Sequence, residues 1–143
     1  MTSLEPPPAD GVDPSRSRSV RHVLVVDDDD LLREVAKAAL ELVGGWRVTT
    51  VLSGTEARSQ AAALRPDAIL LDVMMPGLDG PGTVHGLQQD PRTHDIPVIF
   101  LTAKLPAGDR VEWEQLGLAG VISKPFDPMT LAGDIARLLG WGE

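Results

Sequence analysis

Short apolar runs alternate along the chain with segments of helical periodicity, and this alternation limits the possible folds more than any other feature. The pattern is typical of βα units built around a parallel sheet. Four runs carry polar residues at or near their ends: VLVVDD (23–28), AILLDV (68–73), VIFLTAK (98–104) and GVISKP (120–125). Because parallel strands place their carboxyl ends along one edge, where open α/β sheets bind ligands, these polar residues are expected to form a site.

The pattern predicts five strands and five helices in one α/β domain. The strands are expected at 22–26, 46–51, 68–71, 97–101 and 119–122, and the helices at 30–43, 54–64, 80–89, 107–116 and 128–139. Right-handed crossovers leave few ways to wind five βα units. We therefore expect a doubly wound five-stranded parallel sheet of order 2-1-3-4-5, with its switch point between strands 1 and 3.

Capping residues and periodicity indicate where the helices begin and which faces they bury. Ser53 and Glu56 match a capping box at the start of the second helix. Asp127, followed by a proline, is the expected N-cap of the last helix. The residues expected to face inward are Leu32, Val35, Ala36, Ala39 and Leu42 in the first helix, and Leu131, Ile135 and Leu138 in the last.

Composition excludes several classes of function. The chain has 143 residues, 43% of them apolar, which suits one folded domain and leaves no room for a second. A net charge of −8 argues against direct nucleic-acid binding, because cationic side chains that neutralise phosphates supply most of that affinity. The absence of cysteine excludes disulfides and thiolate metal sites. We find no transmembrane segment or secretory signal in the sequence. We therefore expect a cytoplasmic protein that does not insert into a membrane.

The N-terminal residues differ in composition from the rest of the chain. Residues 1–20 hold four prolines among Ser, Asp and Arg and offer little apolar surface to bury, so a disordered tail is predicted. A proline-rich motif for a partner is the alternative. The folded domain is expected over 21–141, and only one helix fits after Lys124. We therefore expect either a stand-alone domain or a fragment.

Carboxylates are expected to meet at the switch point, where strands 1 and 3 end. Asp27 and Asp28 follow strand 1, and Asp72 ends strand 3. Helix capping is the simpler role for an acidic run, and it suits Asp29 and Asp30 better. Like charges a few ångströms apart repel one another, so carboxylates packed here favour a hard divalent cation such as Mg²⁺.

Two further polar residues, Thr102 and Lys124, are expected to join Asp72 at the same edge. Asp72 could be a metal ligand, a loop cap or a nucleophile that forms an acyl phosphate. Thr102 is an ordinary strand residue by composition, and a lysine such as Lys124 is usually a solvated charge. Beside carboxylates, Lys124 also suits a role as charge partner for Asp72 or a phosphoryl oxygen, and Pro125 permits a cis bond. The histidines are dispersed and expected to be structural or exposed: His22, His85 and His94.

The motifs VLVVDDDD, LLDVMMPGLDG, VIFLTA and SKPFD, in this order and at these spacings, resemble those of a response-regulator receiver domain. This family is the phosphoacceptor module of bacterial two-component signalling. The resemblance covers about residues 21–140 and implies a flavodoxin-like (βα)5 fold. It also implies a signalling domain rather than an enzyme. Such a domain promotes its own phosphotransfer and loses the phosphoryl group slowly by hydrolysis.

The resemblance also implies roles for individual residues. Asp72 would be the phosphoacceptor and a metal ligand, Asp28 a direct Mg²⁺ ligand and Asp27 a ligand through water. The backbone carbonyl of Met74 would complete the protein ligands. For the phosphoryl group, Thr102 is expected to hydrogen-bond one oxygen and Lys124 to pair with another across a cis bond to Pro125.

The implied partners are proteins. A sensor histidine kinase or histidine phosphotransfer protein would donate the phosphoryl group, and small phosphodonors serve some members of the family. A downstream effector would contact the face formed by helix 4, strand 5 and helix 5, about 106–139. Val121 departs from the family, because a Tyr or Phe usually stands there and rotates with the threonine. We expect the signal to travel instead by repacking of helix 4, with Trp113 as a candidate reporter, while Lys104 and Met74 flank the site and bear on dephosphorylation.

Two alternatives remain open at this point. A haloacid-dehalogenase-type phosphatase would use Asp28 as nucleophile, but it would leave Asp72 without a role and needs a later acidic pair that does not follow Lys124. A pseudo-receiver would keep the fold and bind partners without phosphorylation. The complete set of acidic, threonine and lysine residues argues against it, whereas Val121 leaves room for it.

Overall fold

The computed structural model describes residues 20–103 and 115–141. Its elements, in chain order, are β1 His22–Val26, α1 Asp30–Leu42, β2 Arg47–Val51, α2 Gly54–Leu64, β3 Ala68–Asp72, α3 Gly80–Gln89, β4 Val98–Thr102, β5 Gly120–Ser123 and α4 Leu131–Leu139. Every strand limit lies within one residue of its predicted position. None of the described helices is long and apolar enough to cross a membrane.

Some predictions fall on residues outside the described part of the chain. The predicted helix at 107–116 lies almost wholly there, so the C-terminal helix takes the label α4. The predicted tail at 1–20 lies there as well, apart from its last residue. Lys104 and Trp113 are also outside the described residues.

The five strands form one sheet of order β2-β1-β3-β4-β5, and all pairs are parallel. The predicted doubly wound α/β fold and its strand order are therefore confirmed. β1 pairs with β3 so that Val26 lies opposite Leu71, which brings the residues after both strands to the same edge. This pairing creates the switch point at which β1 and β3 deliver their terminal carboxylates.

Two apolar clusters hold the layers together, one on each face of the sheet. Successive strand residues point to opposite faces, so Leu24 and Val26 enter one cluster while Val23 and Val25 enter the other. Helices α2 and α3 cover the first cluster, and α1 and α4 cover the second. The three central strands, β1, β3 and β4, are buried on both faces, which explains their nearly continuous apolar sequences.

Two predictions about the helix faces are wrong. Leu42 is 84% exposed, and the buried leucine near the end of α1 is Leu40. At about 100° per residue these two positions lie about 200° apart on the helix, so one apolar stripe cannot include both. Leu138 is 41% exposed, although its side chain covers Gly120 in β5. Periodicity predicted that each helix has an apolar face, but contact with the sheet determined which residues at the margin of that face are buried.

The capping box at α2 forms with one change. Ser53 Oγ accepts a hydrogen bond from Glu56 N at 3.2 Å, as predicted. Glu56 Oε1 accepts from Leu52 N at 2.9 Å instead of from the N-cap amide. The reciprocal bond therefore anchors the residue before the cap, and the helix still begins at Gly54.

The predicted N-cap of the last helix is wrong. Helix α4 begins at Leu131, and Thr130 occupies its N-cap position. Asp127 Oδ1 accepts from Met129 N at 2.8 Å, and the Asp127 carbonyl accepts from the amides of Thr130 and Leu131 at 3.0 Å each. Asp-Pro sequences favour turns as well as helix starts, and here they form a turn ahead of the helix.

Candidate functional site

The ends of four strands place polar side chains at the carboxyl edge of the sheet. Asp27 follows β1, Asp72 ends β3 and Thr102 ends β4; they are 0%, 3% and 4% exposed. Lys124 follows β5, and its amide donates to the carbonyl of Thr102 at 2.7 Å. Asp28, next to Asp27, is exposed. The edge thus combines buried and open carboxylates in a small space.

Three carboxylates converge there. Asp27, Asp28 and Asp72 each offer an oxygen, and these atoms all lie within 4.8 Å of one another. Oxygen ligands from carboxylates are what a hard divalent cation such as Mg²⁺ requires. The predicted juxtaposition of the three aspartates is therefore present in the fold.

Lys124 bridges the two buried carboxylates. Its Nζ lies 3.1 Å from Asp27 Oδ2 and 3.1 Å from Asp72 Oδ1. The peptide bond from Lys124 to Pro125 is cis, as the resemblance to the receiver family implied. Among the described residues, the Lys124 ammonium therefore lies beside a cluster of three carboxylates.

Burial and charge act in opposite directions on the acidic and basic groups. Burial raises the pKa of Asp72 most strongly and the neighbouring Asp27 raises it further, while hydrogen bonding to Lys124 and its charge oppose them. For Lys124, burial is the largest single effect and lowers the pKa, but the contacts with Asp72 and Asp27 and their negative charges together outweigh burial, so the pKa of Lys124 is raised. Asp72 is thus a desolvated, relatively basic carboxylate, held next to a firmly protonated amine.

One oxygen in the cluster is incompletely satisfied. Asp27 Oδ2 is buried and has no hydrogen-bond partner among the described residues, although the Lys124 ammonium approaches it as an ion pair. A buried carboxylate oxygen without a donor is costly, and a cation supplies what the hydrogen bonds do not. The residues present therefore fit a Mg²⁺ ion at this edge.

The acidic run divides into two pairs with different tasks. Asp29 caps α1, where its Oδ1 accepts from the amides of Leu31 and Leu32 at 3.0 and 3.2 Å. Asp30 lies in the first turn of α1 and pairs with Arg33. The prediction that this pair serves the helix is confirmed for Asp29 by direct bonds. The preceding pair, Asp27 and Asp28, lies beside Asp72 instead.

Arg33 is a neighbour of the site that the sequence did not single out. Its side chain is 14% exposed, and Nη1 donates to the Asp27 carbonyl at 2.8 Å. The only signal available in the sequence is the three-residue spacing between Asp30 and Arg33, which brings them together on one helix face. Contact with the Asp27 carbonyl depends on how the loop enters the helix.

The other candidate residues lie at the rim of the site or away from it. The Met74 side chain is 78% exposed, and its amide donates to Asp72 Oδ1 at 3.4 Å. Val121 lies opposite Phe100 in the sheet and packs, partly buried, against the first apolar cluster. His22 Nε2 lies 2.8 Å from Thr49 Oγ1, far from the acidic edge. The other two histidines, His85 and His94, are exposed.

A sequence model of the family described as "Response regulator receiver domain" matches residues 23–136. The chain is 38% identical to Response regulator Rre1 of Synechocystis over 82% of this chain and 51% of that protein. It is also 38% identical to transcriptional regulatory protein CseB of Streptomyces coelicolor, over 82% of this chain and 49% of that protein. The chain thus spans about half the length of these relatives.

Solved structures agree with the fold. The chemotaxis protein CheY4 of Vibrio cholerae superposes with a TM-score of 0.78 at 30% identity, over 83% of this chain and 98% of that one. The receiver domain of sensor histidine kinase PA1611 from Pseudomonas aeruginosa, described with a magnesium ion in its active-site cleft, has a TM-score of 0.75 at 33% identity, over 85% and 98%. The chain belongs to the response regulator receiver domain family, the phosphoacceptor modules of two-component systems.

Proposed function

We propose that Asp72 accepts a phosphoryl group in a Mg²⁺-dependent phosphorelay. The observation that carries this proposal is the convergence of a buried, basic Asp72 carboxylate with Asp27, Asp28 and the Lys124 ammonium. This combination supplies a nucleophile, cation ligands and a counter-charge at one edge. Phosphoryl transfer depends mostly on positioning and charge neutralisation, which such an arrangement provides.

Each residue then has a defined task. An Asp72 oxygen forms the new bond to phosphorus while the bond to the donor nitrogen breaks, and the electron pair returns to the donor imidazole, which gains a proton. Lys124 exchanges its contact with Asp72 for a phosphoryl oxygen, and the Thr102 hydroxyl hydrogen-bonds another. Mg²⁺, when bound, neutralises developing negative charge on the phosphoryl oxygens. Asp28, Asp72 and the Met74 carbonyl would hold the ion directly and Asp27 through water.

We propose a phosphohistidine of a sensor kinase or of a histidine phosphotransfer protein as the donor. Slow hydrolysis of the acyl phosphate would end the signal. The domain is proposed to span 21–141, in agreement with the family match at 23–136. We also propose that the domain lies in the cytoplasm, where it would meet these donors.

The proposed effector surface includes β5 and α4, which are the predicted strand 5 and helix 5. A groove of about 430 Å³ runs along them, lined by Val121, Ile122, Ser123, Pro125, Phe126, Asp127, Asp134, Arg137 and Leu138. The relative RpaA is described as a DNA-binding regulator. The net charge of −8 leads us to propose instead that this domain contacts a protein, because an acidic chain is poorly suited to neutralise the phosphates of DNA.

Mass spectrometry after incubation with acetyl phosphate and Mg²⁺ tests the proposal. We expect the wild type to gain one phosphoryl group, and the gain to disappear with Asp72→Asn or with EDTA. Asp28→Asn should weaken the reaction without moving the acceptor. If Asp72→Asn still carried an acyl phosphate and Asp28→Asn did not, the phosphatase alternative would replace this proposal. No modification of the wild type would favour the pseudo-receiver.

A further inference from the structure

Arg33 ties the first turn of α1 back to the end of β1. Its Nη1 donates to the Asp27 carbonyl at 2.8 Å, while the other terminal nitrogen pairs with the Asp30 carboxylate. The Arg33 side chain is 14% exposed and the Asp30 side chain 86%, so the bond to the Asp27 carbonyl is the one partly shielded from water. A planar guanidinium holds two acceptors at once in a fixed geometry, whereas a lysine offers one ammonium on a flexible stem and holds its acceptors less rigidly.

The segment that Arg33 holds carries the acidic ligands. Asp27 Oδ1 accepts from Asp29 N at 2.9 Å, and Asp29 itself caps the helix. Asp28 lies between these anchored residues and is exposed, so its direction depends on the backbone on either side. The Asp27 carbonyl is the point at which a side chain of α1 fixes that backbone.

We propose that Arg33 is a positioning residue for the divalent cation, which holds the turn from Asp27 to Asp28 in the arrangement that binds the ion. This inference rests on the proposed function, because that function supplies the ion. Groups that orient the ligands of a metal affect its affinity even though they do not touch it.

Charge alone predicts the opposite effect. Arg33 is a cation close to a site for another cation, so its repulsion weakens binding and its removal should strengthen it. If Arg33 positions the turn, its removal should weaken binding. The direction of the change in Mg²⁺ affinity therefore separates the two roles.

Isothermal titration of the full chain with MgCl₂ provides the test. We expect two neutral variants, Arg33→Met and Arg33→Gln, to bind Mg²⁺ about tenfold more weakly than the wild type. Arg33→Lys keeps the charge and one donor nitrogen, so its affinity should lie between those of Arg33→Met and the wild type. Lys37→Met is the matched control, because Lys37 is on the same helix but pairs with Glu41 at 2.8 Å on the surface. Its affinity should be unchanged or slightly higher.

Circular dichroism without Mg²⁺ shows which variants fold, and either neutral variant suffices for the test. Mg²⁺ binding by a folded neutral variant that is as tight as in the wild type, or tighter, would overturn the positioning role. Arg33→Lys binding no better than Arg33→Met would also overturn it, because general disruption of the turn would then explain the loss. A wild type that does not bind Mg²⁺ at all would overturn both this inference and the Mg²⁺ dependence of the proposed function.

Discussion

The two edges of the sheet treat their polar groups differently. At the amino edge, His22 Nε2 lies 2.8 Å from Thr49 Oγ1, and Asp67 Oδ2 accepts from the His22 amide at 2.8 Å. At the carboxyl edge, Asp27 keeps a buried oxygen without a hydrogen-bond donor among the described residues, and Lys124 is shared between two carboxylates. Among the described residues, the polar groups at the amino edge pair with one another, whereas at the carboxyl edge three carboxylates lie beside the Lys124 ammonium.

Aromatic packing adds to the contrast. Near the amino edge, Trp46 meets Trp141 edge to face at 5.0 Å, and the Arg21 guanidinium lies 4.5 Å from the Trp141 ring. Such contacts stabilise the fold without calling for a ligand. Buried polar residues therefore do not mark a site by themselves. A better indication of a site is a cluster of like charges that includes a buried oxygen without a hydrogen-bond donor among the described residues, as at the carboxyl edge.

The largest expected difference between the edges concerns phosphorylation. Asp72→Asn should abolish acyl phosphate formation, because the nucleophilic carboxylate is lost. Asp67→Asn is the matched change at the amino edge and should leave the reaction intact, because an asparagine oxygen still accepts from the His22 amide. Phosphoryl incorporation from acetyl phosphate, measured by mass spectrometry, compares them. Equal incorporation in both variants would remove the distinction between the edges.

Mg²⁺ should stabilise the protein through the carboxyl edge. A ligand at a hundred times its dissociation constant stabilises the folded state by about 2.7 kcal/mol. We expect the wild type to unfold at higher temperature in saturating MgCl₂ than in EDTA, and Asp28→Asn to lose most of this shift. Asp67→Asn should keep the full shift in differential scanning fluorimetry. A shift that survives Asp28→Asn would place the ion elsewhere.

Loss of the bridging ammonium should destabilise the protein when Mg²⁺ is absent. Lys124→Met leaves two buried carboxylates without their shared partner, and we expect a loss of about 2 to 3 kcal/mol in the free energy of unfolding. Lys37→Met breaks only an exposed pair on α1 and should cost about 0.5 kcal/mol or less. Urea denaturation in EDTA measures both. Saturating Mg²⁺ should narrow the gap between them, and equal stabilities in EDTA would contradict the role assigned to Lys124.

The smallest expected effect is a pH dependence at the amino edge. Burial, and then the charge of Arg47, lower the pKa of His22 below 6.5 despite the opposing charge of Asp67. The unfolded chain therefore takes up this proton first, and stability should decrease as the pH falls from 6.5 through the lowered pKa of the folded protein. His22→Gln should show a shallower decrease between about pH 7.5 and pH 5.5, a range that brackets the ordinary histidine pKa. Equal slopes in urea denaturation would show that His22 does not contribute.

Much of the fold could be predicted because it depends on local pattern. Apolar runs at the period of buried strands gave the strand limits to within one residue, and crossover handedness gave the strand order. The errors lie where tertiary contacts choose between nearly equal local options. The sheet buries Leu40 rather than Leu42, and Asp127 forms a turn that delays α4 to Leu131.

The site was predictable only in part. The positions of Asp27, Asp28, Asp72 and Lys124 at strand ends were sufficient to predict that they meet, because parallel strands end at one edge. Their roles in metal binding and phosphotransfer stay predictions. Arg33 could not be found, because its bond to the Asp27 carbonyl depends on the path of the backbone between β1 and α1.

By itself, the sequence determined the order of the elements and which residues reach the carboxyl edge, because side-chain alternation and chain connectivity are local and nearly fixed. Only the tertiary structure decided how the charges there are shared. It placed one ammonium 3.1 Å from each of two buried carboxylates and left an Asp27 oxygen without a hydrogen-bond donor among the described residues. Those distances arise from packing between strands that are remote in the chain, which no local pattern specifies.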